Sequence, residues 1–350
     1  MIGALTFAAT LLAAGLHHRR HGGIVGLVVL VIIVAVVVVL LVQRSRSRRP
    51  IAEGAASTLA HTLTEERGAG GVATMTLTSI ALDDAPPPGQ YNLVDLARSE
   101  WTKLRSVRST VWTIVITVVL GLGVSAIATA ATRANWSSMT PQGIRSFDAT
   151  SISLIGVFVA QFAIGVLGVL VMSAEYSTGT IRAVFSAAPK RHRVLLAKIL
   201  VFTVLAIVVA EFVSFASFFL GQALLSSPAI HATLSSPGAL RAVVGCGLYV
   251  ATLGVFGLGL ATIIRHSAGA ISTFVGILLI LPLVVQALPN SLALEVRRFL
   301  PDHIGATMIT TNGGFNGTGA FSPWVGMLIL VGYAVAANVI GAVLLARRDA

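Results

Sequence analysis

The chain has 350 residues, 55% of them hydrophobic and only 11% charged, with a mean hydropathy of +0.90 and a formal net charge of +11. Soluble domains carry about 25% charged residues, so this composition excludes an ordinary water-facing surface and points to a membrane protein whose first partner is the lipid bilayer. In a soluble chain the positive balance would suggest nucleic acid; here it suits cations flanking membrane helices, and no nucleic-acid partner is expected.

The first 16 residues are apolar but short for a span, and they lack the basic start of a secretory signal. They read as an interfacial or partly inserted segment. Ile24 to Val42 is the first candidate span. Arg44, Arg46, Arg48 and Arg49 follow it, whereas only Arg19 and Arg20 precede it, so its C-terminal end is expected inside. His17, His18 and His21 have no carboxylate or thiol nearby and read as a basic flank; no metal site is expected. From Ile51 to about Gln90 the chain turns polar and Gly/Ala/Thr-rich and ends in "DDAPPPGQ", a cytoplasmic linker with a stiff Pro segment. Three regions result: 1–50 with an extra span, 51–92 as linker, and 93–350 as a six-span domain.

That domain opens on "NLVDLARSEWTKLRSVRST". Leu93, Leu96, Ala97, Trp101, Leu104 and Val111 fall at helical spacing, with Asp95, Arg98, Glu100, Lys103 and Arg105 around the rest. A basic amphipathic helix with a Trp just before a span belongs in the interface plane of the membrane. Six apolar runs then follow: Val111–Ala131, Ile152–Ala174, Val201–Leu220, Leu240–Ile264, Ile271–Leu288 and Val325–Ala346. The fold class is therefore all-α and polytopic.

Charge sets the orientation. With the amphipathic helix in the cytoplasm, twelve cations fall inside: Arg98, Lys103, Arg105, Arg108, Arg182, Lys190, Arg191, Arg193, Lys198, Arg265, Arg347 and Arg348. Five fall outside, Arg133, Arg145, Arg241, Arg297 and Arg298. Positive-inside bias thus puts both ends of the six-span unit in the cytoplasm. The lone cysteine, Cys246, lies in an apolar run and permits no intramolecular disulfide.

"EYSTGTIRAVFSAAPKRHRVLLAK", Glu175 to Lys198, lies between the second and third of these runs. Gly179 permits a turn, "TIRAVFSAA" is expected to form a short helix, and Pro189 breaks it before "KRHR". In shape this is a cytoplasmic docking element. "SEWTKLRSVRSTVW", this segment, and "FLPDHIGATMI" before the last run together resemble, in order and spacing over about Leu93 to Arg348, the membrane (permease) subunits of bacterial ABC-2 type ABC transporters.

The resemblance implies an amphipathic connecting helix, six spans, and a coupling helix after the second span that sits in a groove of a separate ABC ATPase subunit, present in two copies. Two membrane subunits, as a homo- or heterodimer, would form the path. Glu175, Tyr176, Gly179, Thr180, Ile181 and Arg182 match the coupling motif, with Pro189, Arg191 and Arg193 after it. Glu100, Trp101, Lys103 and Arg105 match the connecting helix. Residues Pro289 to Pro323 resemble an extracellular re-entrant segment. The implied location is the bacterial cytoplasmic membrane, and the implied direction is export. Residues 1–92 depart from the usual subunit and suit an accessory anchor or regulator, a fusion, or an upstream start codon.

A P-loop requires Lys followed by Ser or Thr. Lys103, Lys190 and Lys198 are followed by Leu, Arg and Ile, so no Walker A motif exists and no catalytic residue is assigned. ATP and magnesium are expected on the partner ATPase. Glu211 stands about 20 Å along its helix from Lys198, deep in hydrocarbon. Both a translocation-path or interface role and a protonated, hydrogen-bonded structural carboxyl fit it, and Gln161 of the preceding span is a candidate partner. Gly123–Ala126, "GVSA", and Gly254, Gly257 and Gly259 suit close helix packing. The mostly apolar spans favour a hydrophobic or amphipathic cargo. The competing function is a proton- or ion-coupled secondary transporter or channel built on Glu211.

Overall fold

The computed structural model describes residues 92–177, 191–225, 230–312 and 320–347, and among them every regular element is helical. Helix α1 (Leu93–Ser106) is followed by α2 (Arg108–Ala134), the short α3 (Pro141–Arg145) and α4 (Ala149–Ser153), α5 (Val157–Ser177), α6 (Arg191–Leu224) and α7 (Ala239–Ile264). Then come α8 (Ser267–Val275), a π-helical segment (Gly276–Ile280), α9 (Leu281–Gln286), α10 (Asn290–Arg297), α11 (Pro301–Ile309) and α12 (Pro323–Arg347). Six helical stretches are long and apolar enough to cross a membrane: α2, α5, α6, α7, α8 through α9, and α12. These are the six expected runs from Val111 onward. The run Ile24–Val42 and the linker lie outside the described residues.

Each span is apolar around most of its circumference, as a helix surrounded by protein and lipid must be. The interior is built on α5 and α7, whose most apolar windows are 78% and 67% buried, against 33% for the other four spans. Helix α7 packs on α5, α6 and α12. Small residues allow these axes to approach: a Cβ on Gly168 would overlap the backbone of Gly254, so the α5–α7 contact needs glycine there. Hydroxyls inside the spans bond back to the preceding turn, as Thr117 does to the Thr113 carbonyl and Thr262 to the Leu258 carbonyl, which removes their desolvation cost.

Boundaries differ from the sequence expectation at three places, each with a local cause. The second run does not begin as one helix at Ile152: α4 ends at Ser153, and α5 starts at Val157. The turn between them lets the Gly156 amide donate to Ser125 Oγ at 3.0 Å, so the serine of "GVSA" joins α2 to α5. The third span begins ten residues earlier than the apolar run, because "RHR" is already helical; at 34 residues α6 is about 51 Å long. The fifth span widens into a π turn at Gly276–Ile280, directly before Pro282, whose ring obstructs the carbonyl four residues back and which has no amide to donate.

At the end of the bundle away from α1, the connections are pinned by polar side chains. Asp148 caps α4 through the Thr150 and Ser151 amides and also accepts from the Thr311 amide at 2.6 Å and the Thr311 hydroxyl at 3.0 Å. Arg241 donates to the Met308 and Thr310 carbonyls at the end of α11, at 3.2 and 2.6 Å. Among the described residues of segment 289–323 are two short helices, of which α11 is buried against α7 and α12.

Candidate coupling site at the α1 end of the bundle

Helix α1 begins with an Asn92/Asp95 capping box and carries Lys103 and Arg105 in its last turn, both favourable to the helix dipole. Its buried residues are Glu100 and Leu104, and it packs on the first turns of α6 more than on α2, the helix it leads into. Trp101 is 47% exposed and Arg105 is exposed. The Trp therefore lies on the outer side of α1, free to meet a headgroup layer. Glu100 is a correction: spacing put it on the polar face of an amphipathic helix, whereas it is 3% exposed.

The reason is Lys198. Two turns into α6, its ammonium donates to Glu100 Oε2 at 2.5 Å and to Glu175 Oε1 at 2.8 Å. Lys103 bridges the same two carboxylates, at 2.6 Å to Glu100 Oε1 and 3.2 Å to Glu175 Oε1. Two cations and two anions close a neutral quartet. Its members come from α1, from the last turn of α5, and from α6. The Lys198 and Glu100 side chains are each 4% exposed, Glu175 is 13% and Lys103 is 43%. Burial pushes the Glu100 carboxyl up, but the Lys198 and Lys103 ammoniums outweigh it and hold it below the usual carboxylate range. Burial likewise lowers Lys103, and the Glu100 and Glu175 carboxylates overcome this and raise it.

A second tie lies beside the quartet. Arg265, the C-cap of α7 in the left-handed region at φ 59°, holds its guanidinium 5.5 Å from the centre of the Tyr176 ring and donates to the Leu344 carbonyl of α12 at 3.2 Å. Glu175 and Tyr176, neighbours in sequence, therefore fasten the end of α5 in two directions: Glu175 to α1 and α6, Tyr176 to α7. Residues 178–190, which include Gly179, Thr180, Ile181, Arg182 and Pro189, lie outside the described residues, and of Arg191 only the backbone is described. Arg193 is exposed on the first turn of α6.

Sequence reasoning placed Glu100, Lys103, Glu175 and Lys198 individually at the same end but did not join them. The available signal was chemical: two of the chain's three lysines and two carboxylates stand at helix ends that must converge. The proposed Gln161–Glu211 pair does not form. Gln161 Oε1 instead accepts from the buried Tyr249 hydroxyl at 2.5 Å, joining α5 to α7. The Glu211 carboxyl lies over Gly247, where a side chain of any size would collide with it, and its Oε2 is buried without a hydrogen-bond partner. Among the described residues no group of three or more His, Cys, Asp or Glu could hold a metal ion.

Residues 96–286 match a family model described as ABC-2 family transporter protein. No curated protein matches the chain.

Proposed function

The chain belongs to the ABC-2 family of transporter proteins, and from that premise we propose that it is the permease subunit through which a separate ABC ATPase drives export of a hydrophobic or amphipathic cargo. Two ATPase copies bind and hydrolyse ATP with magnesium. Two permeases, identical or paired with a related chain, form the path. Residues 93–350 are the transport unit and 1–92 an appended anchor and linker. The α1 end faces the cytoplasm of the bacterial cell, with both ends of the six-span unit on that side, a reading supported by the excess of Arg and Lys there.

The observation that carries this reading is the quartet of Glu100, Lys103, Glu175 and Lys198. It sits at the base of the segment 178–190, which carries the docking motif. Glu175 and Tyr176 end the helix before that segment, and Arg191 and Arg193 begin the helix after it. A push on the segment by a closing ATPase pair reaches both helices at once, and the quartet makes α1 move with them. The Tyr176–Arg265 contact passes the same displacement to α7 at the centre of the bundle. This is a rigid-body route to alternating access, with bound nucleotide setting the population of the outward-open state.

The test uses the chain expressed with its ATPase in proteoliposomes. Arg182→Glu, or deletion of 177–187, is expected to abolish ATPase co-purification and cargo-stimulated hydrolysis while leaving a monodisperse permease; unchanged binding and export would overturn the docking role. Sidedness is read separately by labelling Arg193→Cys. The sole native cysteine, Cys246, is fully buried and contributes no background. Labelling of Arg193→Cys from the outside only would invert the orientation.

A further inference from the structure

A groove of about 460 Å3 runs along the membrane-facing junction of α6, α7 and α12. Its volume is that of a small-molecule site. It begins at His192 at the α1 end, and its wall is almost wholly apolar: Ile199 and Ile207 on α6, Leu248 on α7 and Val335 on α12 are typical. Helical register extends it. On α6 the lining positions 192, 196, 199, 203 and 207 recur every three or four residues, and the next in the series is 211. On α7 the lining positions are 248, 251, 252 and 255, and Gly247, beside Leu248, stands one turn before Ala251 on the same stripe. Glu211 and Gly247 are the two residues in contact there.

Two polar atoms along this line lack partners. Glu211 Oε2 is one; the other is Oδ1 of Asn338, a groove-lining residue of α12 whose amide nitrogen is already committed to the Val255 and Ala334 carbonyls. Both are acceptors. Asn338 meets α7 at Val255, eight residues or about 12 Å along the helix from Gly247, so one head group reaches only one of the two. A bilayer acyl chain would cover the apolar wall but leave Glu211 unsatisfied, whereas a ligand with a positively charged N–H donor satisfies it and offsets the cost of a carboxylate at that depth.

We infer that this groove binds a membrane-dissolved lipophilic amine, its ammonium on Glu211 and its apolar body along α6 and α12. Gly247 makes the seat by leaving the carboxyl room. The inference deepens the export reading by naming a cargo class, and it rests on that reading only for the fate of the bound amine, not for its binding.

The test is photolabelling of the full-length chain in nanodiscs by diazirine-bearing dodecylamine, with the matching dodecanol as the uncharged control and peptide mapping of the adducts. Dodecylamine is expected to label the α6–α7–α12 groove, with Glu211→Gln lowering that labelling about tenfold and leaving dodecanol labelling unchanged. Val335→Trp, which fills the groove without touching the carboxyl, is expected to suppress both probes. Gly247→Ala moves the carboxyl off its seat without altering charge and is expected to cost several-fold in amine labelling, so the inference stays testable should Glu211→Gln fail to fold. Equal labelling by amine and alcohol, which marks a groove for bilayer lipid only, would overturn it, as would amine labelling indifferent to both Glu211→Gln and Gly247→Ala. No ATPase is present in this assay, so loss of ATP-driven export and loss of amine binding are separate results.

Discussion

Replacing Lys198 by Met keeps the length and volume of the side chain but removes the cation that Glu100 and Glu175 share. Both carboxylates then depend on Lys103, whose 43% exposed side chain contributes far less than a buried one. Removing one member of a buried ion pair costs about 3–5 kcal/mol. Residual pairing to Lys103 places the expected loss at about 3 kcal/mol, or a fall of roughly 4 °C in the unfolding midpoint for a protein of 350 residues. The measurement is the fraction remaining monodisperse after heating in nanodiscs, since unfolding of a membrane protein is commonly irreversible.

Charge and packing are separated by the triple variant Lys198→Met/Glu100→Gln/Glu175→Gln. It leaves no uncompensated carboxylate and is expected to recover most of the lost midpoint. pH supplies the sign. The Glu100 carboxyl is held below its ordinary value of 4.5, so its contribution is present above that pH and lost as pH falls through the lowered value. Lys103 is raised above 10.5, so its contribution is present below that pH and lost as pH rises through the raised value. The stability gap between the wild type and the Lys198→Met variant should therefore be flat across neutral pH and narrow as pH falls below about 4.5. A single variant within about 1 °C of the wild type, or a triple variant as unstable as the single, would refute the account.

Gly168→Ala puts a methyl group onto the Gly254 backbone; a loss of about 2–3 kcal/mol by the same heating assay is expected, and a neutral result would show that α5 and α7 can part without cost. Asp148→Ala removes an N-cap and both bonds to Thr311; about 2 kcal/mol is expected, seen as faster hydrogen exchange at the Thr311 amide. Arg265→Gly relieves a positive φ while Arg265→Ala does not, and both lose the Tyr176 and Leu344 contacts. The alanine variant should be the less stable by about 1 kcal/mol, and equal midpoints would argue that the left-handed backbone at this cap carries no strain.

The six spans were legible because a membrane helix announces itself by length and composition, and residues such as Gly254 announced tight packing. What periodicity could not supply was direction. Glu100 sits in a polar-looking position of α1 and becomes buried only because α6 brings Lys198 against it, a contact across 98 residues that no local pattern encodes. Glu211 was only a candidate partner for Gln161 for a related reason: Glu211 and Tyr249 both lie at plausible depths, and only the rotation of α7 about its axis decides for the tyrosine. Pro282 was the one local signal passed over, since a proline within an apolar run predicts a disturbed turn before it. The motif from Gly179 to Pro189 is a matter of the resemblance and of the proposed docking role.

Chain order gives the quartet a further consequence during synthesis. Glu100, Lys103 and Glu175 leave the ribosome first and carry one negative charge in excess; Lys198 follows only when the third span emerges. Until that lysine arrives, a carboxylate destined for the interior has no counter-ion and remains more stable in water than sealed between helices. The third span thereby acts as the closing stitch for the helices that precede it.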